Sequence, residues 1–379
     1  MATKKKKFNF QELLIRLFFF CHILAVLALI FALLASIIPP DQVWVFSFFG
    51  LIFLPIFIVN IGFTIIWVLL RRKFWFVSIL PLLLGFSSFL NHFNFSFRPE
   101  KKIASTSIKV MTFNTRGFFV PEGEKANEFH QHTFNFIESE KPQVVCFQDF
   151  NLPYTGKYST KSLKEILHLP YFEYRNYFDY TIPDGASGLA IYSIYPIINS
   201  KWIKFEDEYI GMYADIQCDT EVIRVFSIHL QSYQLFDEDK IILTTPTAYS
   251  KMDEGKIKSN SRRIAWKLRW AFKRRAPEAR LIAANIKESP YPVILCGDFN
   301  DTPASYTYHT IAKNLKDPFK SFGSGIAKTY NQSKYPFRID YILHSEKLHS
   351  LNIQIHPTKA SDHNMVTAVF QSFEETIHK

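Results

Sequence analysis

An uncharged apolar segment near the amino terminus limits most strongly what this chain can fold into. Residues 17–39 include no Asp, Glu, Lys or Arg, and about 20 such residues cross about 30 Å of hydrocarbon as an α-helix. Two further uncharged runs follow at residues 43–70 and 74–91, and the third is the shortest. The pattern predicts an all-α transmembrane region of about three helices, within an amino-terminal membrane anchor of residues 1–98.

The basic residues beside these runs predict the orientation of the anchor. Lys4–Lys7 and Arg16 precede the first run and Arg71–Lys73 separate the second from the third, whereas the linker at residues 39–42 carries no positive charge. Because cytoplasmic loops accumulate Lys and Arg, this multi-pass topology places the remaining chain on the outer, periplasmic side of a cytoplasmic (inner) membrane. If the third run forms a hairpin or lies in the interface, the remaining chain stays in the cytoplasm. A cleaved signal peptide is disfavoured because the first run is long and further spans follow.

The charge balance separates the anchor from the rest of the chain. The protein has 44 Lys and Arg against 34 Asp and Glu, a formal net charge of +10. Nine basic and two acidic residues fall within residues 1–99, so residues 100–379 keep 35 basic and 32 acidic side chains, or +3. The total charge is therefore weak evidence for a nucleic-acid binder. The composition excludes disordered, collagenous and disulfide-scaffold proteins, and the four cysteines imply no disulfide framework.

Residues 99–379 show the pattern of a second, soluble domain. Short runs rich in Val, Ile and aromatic residues alternate with polar turns, which is typical of β-strands. These runs lie at residues 108–113, 144–147, 189–192, 222–229, 293–296, 339–343 and 366–370. Helical patterns intervene around residues 124–139, 160–167, 262–287 and 305–313. Many strands with a few helices predict one α/β domain with a two-layered sheet core flanked by helices.

Polar side chains cluster where the predicted strands end. They are Asn114, Asp149, His229, Asp298, Asn300, Asp340, Asp362 and His363. One Asp or Asn after a strand is usually a turn former, but a set made only of carboxylates, carboxamides and imidazoles fits a single chemistry. Hard oxygen ligands bind Mg²⁺ or a similar ion, carboxamides hold a phosphate in place, and imidazoles accept and donate protons. The set therefore predicts hydrolysis of a phosphoester.

Seven short motifs carry these residues through residues 106–372. In chain order they are TFNTRG, CFQDF, SGLAIYS, SIHLQS, GDFNDTP, RIDYIL and SDHNMV. Together they resemble the endonuclease/exonuclease/phosphatase superfamily, which includes pancreatic-type deoxyribonucleases, abasic-site endonucleases, inositol polyphosphate 5-phosphatases and neutral sphingomyelinases. The resemblance implies a four-layered α/β sandwich for residues 99–379, with two packed mixed sheets flanked by helices and the site at one edge of the sheets.

The resemblance also implies a role for each residue of the set. The expected catalytic residues are His229, Asp298, Asn300, Asp340 and His363. The expected ligands of Mg²⁺ (or Mn²⁺) are Asn114, Asp149, Asp298 and Asp362, and the expected phosphate contacts are Asn114, Asn300 and Arg338. Asp149 stands where the family has a metal-binding Glu, so its side chain is one methylene shorter. Arg338 also fits a surface arginine on an edge strand.

A basic stretch at residues 262–280 is not explained by these motifs. On a helical wheel, Ile264, Leu268 and Phe272 gather on a core face, while Trp266 and Trp270 lie opposite them among basic residues. Such a face suits contact with nucleic acid, contact with anionic lipid headgroups, or a solvated surface whose tryptophans pack under a loop. A proline at position 277 predicts that a second helix begins there.

The sequence therefore predicts a membrane-anchored, divalent-metal-dependent phosphoesterase that cleaves a phosphodiester or phosphomonoester by metal-assisted attack of water. A nuclease is one form of this activity, and a lipid or sugar-phosphate phosphodiesterase or phosphatase is the alternative. A non-catalytic binding module of the same fold is the second alternative, and the short Asp149 side chain is its one support. The expected partners are the phosphoester substrate (nucleic acid, or phospholipid or sugar phosphate) and the lipid bilayer; we infer no protein partner.

Overall fold

A computed structural model describes residues 10–95, 107–179, 187–235, 239 and 254–372. Lys4–Lys7 and the predicted domain boundary at residues 98 and 99 lie outside the described residues.

The amino-terminal part is helical and coincides with the three predicted runs. Its helices are α1 (Phe10–Leu34), α2 (Val45–Leu51), α3 (Phe53–Leu69), a 3₁₀ turn (Lys73–Ser78) and α4 (Ile79–His92). Within the described chain, α1 and the segment of residues 73–92 are each long and apolar enough to cross a membrane. Helices α2 and α3, bent by 73° against each other, add a third candidate span if the pair is counted as one.

Several polar side chains of this helical bundle, among them His22, Asn60 and Ser78, are buried in its interior. Trp67 on α3 donates a hydrogen bond to Nδ1 of His22 on α1 over 3.0 Å. The proton of the neutral imidazole is therefore on Nε2, which lies 2.5 Å from the Ser78 hydroxyl. Large apolar side chains such as Leu69 and Leu83, 75% and 68% exposed, point outward. Polar groups inside and apolar groups outside are typical of helices in lipid.

The rest of the described chain forms two large mixed β-sheets and a two-stranded sheet of β1 and β10. A short strand β1 (Phe93–Phe95) follows α4, and the remaining strands are β2 (Ile108–Asn114), β3 (Val144–Phe150), β4 (Tyr171–Asn176), β5 (Gly188–Ser193), β6 (Ile197–Phe205), β7 (Glu208–Cys218), β8 (Glu221–His229), β9 (Val293–Asp298), β10 (Ser324–Ile326), β11 (Asp340–His344), β12 (Leu348–His356) and β13 (Met365–Ser372). One sheet has the strand order β12-β13-β2-β3-β5-β4 and the other β11-β9-β8-β7-β6. The pairs β2–β3 and β8–β9 are parallel and the other pairs of both sheets are antiparallel.

The two sheets pack face to face with helices on both outer faces. The inner core joins residues of one sheet, such as Val110 and Cys146, to residues of the other, such as Val225 and Ile294. The outer helices are α5 (Ala126–Ser139), α6 (Leu163–Ile166), α7 (Glu254–Lys287), α8 (Tyr306–Ala312) and α9 (Phe319–Phe322). Helices α5 and α6 cover the six-stranded sheet, and α7 and α8 cover the five-stranded sheet. The expected four-layered sandwich is confirmed.

The long basic helix α7 corrects the prediction made from Pro277. It continues as one helix from Glu254 to Lys287 with the proline inside it, although an interior proline costs about 3 kcal/mol. Tertiary packing on both sides of Pro277 explains this. The first half of α7 packs on Phe48 and Leu51 of the amino-terminal bundle, while Ala279 and Ile282 of the second half pack on the five-stranded sheet.

Contacts cross the predicted boundary between anchor and soluble domain. Strand β1 pairs with β10, and the Thr302 hydroxyl donates to the carbonyl of Gly50 over 3.2 Å. A Cβ atom on Gly50 would lie 2.7 Å from the Cβ of Ala35 and 3.3 Å from the carbonyl oxygen of Ala304, so this close approach requires glycine. The loop that follows β9 therefore rests directly on the bundle.

Candidate functional site

Strand register brings the predicted residues to one edge of the sheets. Asp298 ends β9 and pairs with His229 at the end of β8 on one side and with Asp340 at the start of β11 on the other. Asn114 ends β2 in the facing sheet. Its side-chain amide donates to Oδ2 of Asp298 over 2.9 Å, which connects the two sheets at this edge.

Asp298 lies at the centre of the site and is 1% exposed. One carboxylate oxygen accepts from the backbone amide of Asn300 over 2.7 Å, and the other lies 3.7 Å from Nε2 of both His229 and His363. Burial, followed by the negative charge of Asp340, raises the pKa of Asp298 to about 6. The site therefore concentrates negative charge on a buried carboxylate that faces two imidazoles.

Asp340 and His363 form a buried pair. Nδ1 of His363 lies 3.0 Å from both carboxylate oxygens of Asp340. Burial lowers the pKa of His363, but the charges of Asp340 and Asp298 raise it more, to about 10. The imidazole is therefore protonated at neutral pH, and Asp340 fixes its orientation while Nε2 points to Asp298.

A tyrosine that the sequence analysis did not select orients the second histidine. The hydroxyl of Tyr177, just after β4, accepts from the backbone amide of Asp149 over 2.8 Å and lies 2.6 Å from Nδ1 of His229. Burial lowers the pKa of His229, but the charges of Asp149, Asp298 and Glu208 raise it above its ordinary value. A tyrosine after a strand is typical of packing, so no sequence signal marked Tyr177.

Two predicted residues sit on unusual backbone. Asp149 and Asn300 adopt left-handed conformations with φ of 48° and 51°, which Asp and Asn tolerate better than most residues. Asp149 lies where the register of β3 with β5 shifts, so its side chain leaves the sheet pattern. Its Oδ1 lies 3.5 Å from Nδ1 of His229. The side-chain amide of Asn300 donates to the carbonyl of Leu230 over 3.0 Å.

The predicted metal ligands do not form a single group. Among the described residues, the acidic and histidine side chains whose ligand atoms lie within 4.8 Å of one another are Asp298, Asp340 and His363. Asp149 and Asp362 lie outside this group, and Asp362 is 3.9 Å from the guanidinium of Arg116. The donor set nevertheless suits a divalent cation, because the buried carboxylates of Asp298 and Asp340 offer hard oxygen ligands within 4.8 Å of each other.

Arg338 does not join the site, which corrects its assignment as a phosphate contact. Its guanidinium forms a bidentate salt bridge with the Asp317 carboxylate, with hydrogen bonds of 2.7 and 2.8 Å. It also donates a hydrogen bond to the carbonyl of Asn91 at the end of α4. The side chain is 2% exposed and stacks on the rings of Phe319 and Tyr341. A buried carboxylate within reach outcompetes an exposed phosphate, because burying an unpaired guanidinium costs several kcal/mol.

Replacing Arg338 tests this structural role. We expect Arg338→Met to lower the free energy of unfolding by about 3 kcal/mol, because Asp317 stays buried without its partner. The double variant Arg338→Met with Asp317→Asn should recover part of that loss. Thermal unfolding of the full chain in detergent measures both. A normal unfolding temperature combined with a raised KM would instead support the phosphate contact.

Two family models match parts of this chain. The family model described as the Endonuclease/Exonuclease/phosphatase family matches residues 111–363, and a model for a domain of unknown function (DUF8431) matches residues 15–92. Comparison with curated proteins gives no match.

Solved structures similar to this chain include three proteins of diverse origin. The human Nocturnin catalytic domain with a bound sulfate anion is 16% identical, with 71% of this chain and 96% of that chain covered and a TM-score of 0.49. A humanized Danio rerio TDP2 is 15% identical, with coverages of 71% and 100% and a TM-score of 0.49. An endonuclease/exonuclease/phosphatase family protein from Bacteroides thetaiotaomicron is 16% identical, with coverages of 70% and 97% and a TM-score of 0.48. Because the family model spans about two thirds of the sequence, this chain belongs to the endonuclease/exonuclease/phosphatase family.

Proposed function

We propose that this protein is a membrane-anchored, divalent-metal-dependent phosphoesterase whose catalytic domain lies outside the cytoplasmic membrane. Family membership supports a phosphoesterase activity in general. The observation that carries the proposal is the buried Asp340–His363 pair aimed at Asp298, with His229 on its other side. Two imidazoles beside one carboxylate can donate and accept protons next to a bound phosphate.

His363 and Asp340 act on the phosphate in this proposal. At neutral pH the raised pKa keeps His363 protonated, so its Nε2 donates a charge-assisted hydrogen bond to a non-bridging phosphate oxygen. Asp340 holds the ring through Nδ1 and stabilises the imidazolium. The negative charge that develops in the transition state therefore meets a fixed positive donor.

His229 serves the leaving oxygen. The Tyr177 hydroxyl oxygen accepts from the Asp149 amide and lies 2.6 Å from Nδ1 of His229, so it can also accept the Nδ1 proton of the imidazolium. Burial lowers the pKa of His229, but the neighbouring carboxylates raise it above its ordinary value, which favours the protonated ring. The imidazolium donates its Nε2 proton, on the side of Asp298, to the departing oxygen and becomes neutral, while Asp298 orients a water molecule for attack.

Asp298 and the carboxamide of Asn114, which lie together, would hold the divalent ion, Mg²⁺ or Mn²⁺, and we keep Asp149 and Asp362 as proposed further ligands. When bound, such an ion polarises the phosphoryl oxygen and lowers the pKa of a coordinated water. Ion binding requires ionised Asp298, so the raised pKa of that residue should weaken ion binding as the pH falls.

The substrate class follows from a panel assay on the full chain. A nuclease predicts Mg²⁺- or Mn²⁺-dependent cleavage of plasmid DNA or RNA. The alternative, a lipid or sugar-phosphate phosphodiesterase or phosphatase, predicts turnover of sphingomyelin or inositol phosphates. The contact of the loop after β9 with Gly50 favours this alternative, because it holds the site beside the bundle. Absence of metal-dependent turnover on every substrate would leave the non-catalytic binding module.

A reporter fused after residue 379 tests the topology. Alkaline phosphatase is active only outside the cytoplasm, so three spans predict an active fusion. An inactive fusion combined with a fluorescent cytoplasmic reporter would contradict the extracytoplasmic placement without touching the enzyme assignment.

Tyr177 is expected to be a positioning residue for His229. Tyr177→Phe removes the hydroxyl between the Asp149 amide and Nδ1 of His229, so we expect kcat to fall about tenfold with KM within about twofold. The acidic and basic limbs of the pH profile of kcat should also shift, because the His229 ring loses its hydrogen bond with the Tyr177 hydroxyl. An unchanged pH profile with a lowered unfolding temperature would indicate packing alone.

Asp149 is expected to bind the metal through its charge. Asp149→Asn keeps the shape of the side chain and its tolerance of the left-handed backbone. We expect the Mg²⁺ concentration that gives half-maximal activity to rise about tenfold. Asp149→Glu retains the charge and serves as the matched control, with an expected change below about threefold. Equal Mg²⁺ dependence of Asp149→Asn and the parent would remove Asp149 from the ligand set.

A further inference from the structure

The first half of α7 has an extreme charge bias. Between Gly255 and Ala276 there are nine Lys and Arg residues and no Asp or Glu. Some of these basic side chains have acidic partners elsewhere in the fold. Arg263 and Lys267 bind Asp239, and the remaining pairs are Arg274 with Glu206, Glu208 and Glu278, and Arg275 with Asp301.

The other basic residues form a stripe on the surface. Lys258, Arg262, Trp266, Arg269 and Lys273 follow one another at intervals of three or four residues, which places them on one helix face. We call these five residues the basic face of α7. Within the described part of the chain, no carboxylate forms an ion pair with Arg262, Arg269 or Lys273. This face therefore keeps positive charge available to an external anion.

Two tryptophans are exposed on this side of the helix. Trp266 is 63% and Trp270 is 36% exposed, which is unusual for the largest apolar side chain. With Arg269 and Lys273 they line one side of a groove of about 460 Å³, and Phe205 and Glu206 line the other side. The carboxylate of Glu206 contacts Arg274 and, among the described residues, forms no ion pair with Arg269 or Lys273. Aromatic rings among cations match the boundary between lipid and water.

The basic face lies at the end of the amino-terminal bundle. Helix α2 is inclined by 73° to α3, so when α3 crosses a bilayer, α2 runs near the membrane plane. Helix α7 packs on α2 through an edge-to-face contact of Phe272 with Phe48, with centroids 5.3 Å apart. The Arg269 guanidinium lies 5.0 Å from the ring centroid of Trp44, just before α2. Through Arg269, one edge of the basic face therefore borders the contact between α7 and α2.

We propose that the basic face of α7 binds the headgroups of anionic phospholipids, with Trp266 and Trp270 inserted at the bilayer interface. This inference rests on the membrane anchor of the proposed function. Charge complementarity and continuity with the lipid-facing surface of the bundle support it. Docking of α7 holds the catalytic domain at a defined height and angle, because the second half of the same helix is packed on the five-stranded sheet.

Fluorescence of the full chain in nanodiscs tests the proposal. The discs contain phosphatidylcholine with an increasing fraction of phosphatidylglycerol whose acyl chains are brominated near the headgroup. The difference between the parent and Trp266→Phe with Trp270→Phe isolates the two tryptophans from the four others. We expect quenching of this difference signal to rise with the phosphatidylglycerol fraction. Brominated phosphatidylcholine alone should quench it about threefold less.

Charge variants separate headgroup binding from simple proximity. In Arg262→Gln with Lys273→Gln, binding should weaken about thirtyfold and the phosphatidylglycerol fraction at half-maximal quenching should rise accordingly, because each of the two interfacial cations contributes about 1 kcal/mol. This variant leaves the stack of Arg269 on Trp44 intact. The matched control replaces Lys141 and Lys347, exposed lysines outside α7, and should behave as the parent.

Three outcomes overturn the proposal. The first is a difference signal that neither brominated lipid quenches, since the tryptophans then face water. The second is equal quenching in parent and charge variant at every phosphatidylglycerol fraction. The third is a larger fluorescence change with single-stranded DNA than with phosphatidylglycerol, lost in the charge variant, which assigns the face to nucleic acid. Inorganic phosphate should leave the signal unchanged, because it cannot contact the tryptophans.

These outcomes are distinguishable from failure of the proposed function. Lipid quenching requires no turnover, and phosphoester hydrolysis is measured separately in the same discs. A chain that is not a membrane protein does not incorporate into discs at all. A chain that incorporates and shows lipid-dependent quenching but hydrolyses nothing supports the inference and contradicts the enzyme assignment.

Discussion

Replacing His363 with alanine is expected to lower the turnover of a phosphodiester such as bis-p-nitrophenyl phosphate about 10⁴-fold. The substitution removes a buried imidazolium whose Nε2 faces Asp298 at 3.7 Å, and with it the donor that stabilises developing phosphate charge. It also leaves Asp340 buried without its 3.0 Å partner. Because the interaction strengthens in the transition state, kcat should fall far more than KM changes.

The matched control for this variant is His132→Ala, an exposed histidine on α5, with an expected activity within about twofold of the parent. His363→Asn keeps a polar side chain but carries no positive charge, so it should recover less than about tenfold of the lost turnover. Parent-like activity of His363→Ala, with a normal unfolding temperature, would contradict the site assignment.

Asp298→Asn is expected to abolish turnover to a similar degree, about 10⁴-fold, while leaving the fold intact or stabilising it. The neutral amide cannot orient the attacking water or bind a divalent ion as a carboxylate does. The pKa of Asp298 is raised to about 6 by burial and by Asp340, so folding favours its protonated form. The ionised carboxylate therefore destabilises the metal-free protein as pH rises through about 6, and the neutral Asn lacks this cost.

Thermal unfolding in detergent with EDTA measures whether Asp298→Asn stabilises or destabilises the metal-free protein. At about pH 8 the Asp298→Asn protein should unfold at the same temperature as the parent or at a higher one, and the difference should shrink below about pH 4, where Asp298 is protonated in both states. Asp207→Asn in the exposed turn between β6 and β7 is the matched control and should keep full activity. An unfolding temperature well below that of the parent would mean that lost folding explains the lost activity.

Local patterns were sufficient to predict most of the fold. Apolar periodicity and length separated the anchor from the soluble domain, because burial in lipid and burial in a sheet core demand runs of different length. The seven motifs predicted the four-layered sandwich, and the strand ends bring Asn114, His229, Asp298 and Asp340 together as expected. The ends of strands can be predicted from the sequence because the alternation of apolar side chains stops there.

Local sequence patterns could not predict which side chains contact each other. Arg338 precedes the site by two residues, yet its guanidinium binds Asp317 and the carbonyl of Asn91. The role of Tyr177 depends on the hydroxyl meeting His229, 52 residues later in the chain. Helix α7 continues through Pro277 because its first half packs against the amino-terminal bundle and its second half packs against the five-stranded sheet.

The amino-acid sequence by itself determined the apolar helices, the strand runs and the order of the polar residues, because each follows from the solvation and backbone preference of neighbouring residues. The tertiary structure alone decided which of those residues meet. Side-chain pairing is set by distance and burial among segments far apart in the chain, and a buried charge takes the partner that the packing supplies. This is why Asp298 faces two histidines while Arg338, only two residues before Asp340 in sequence, is held away from them.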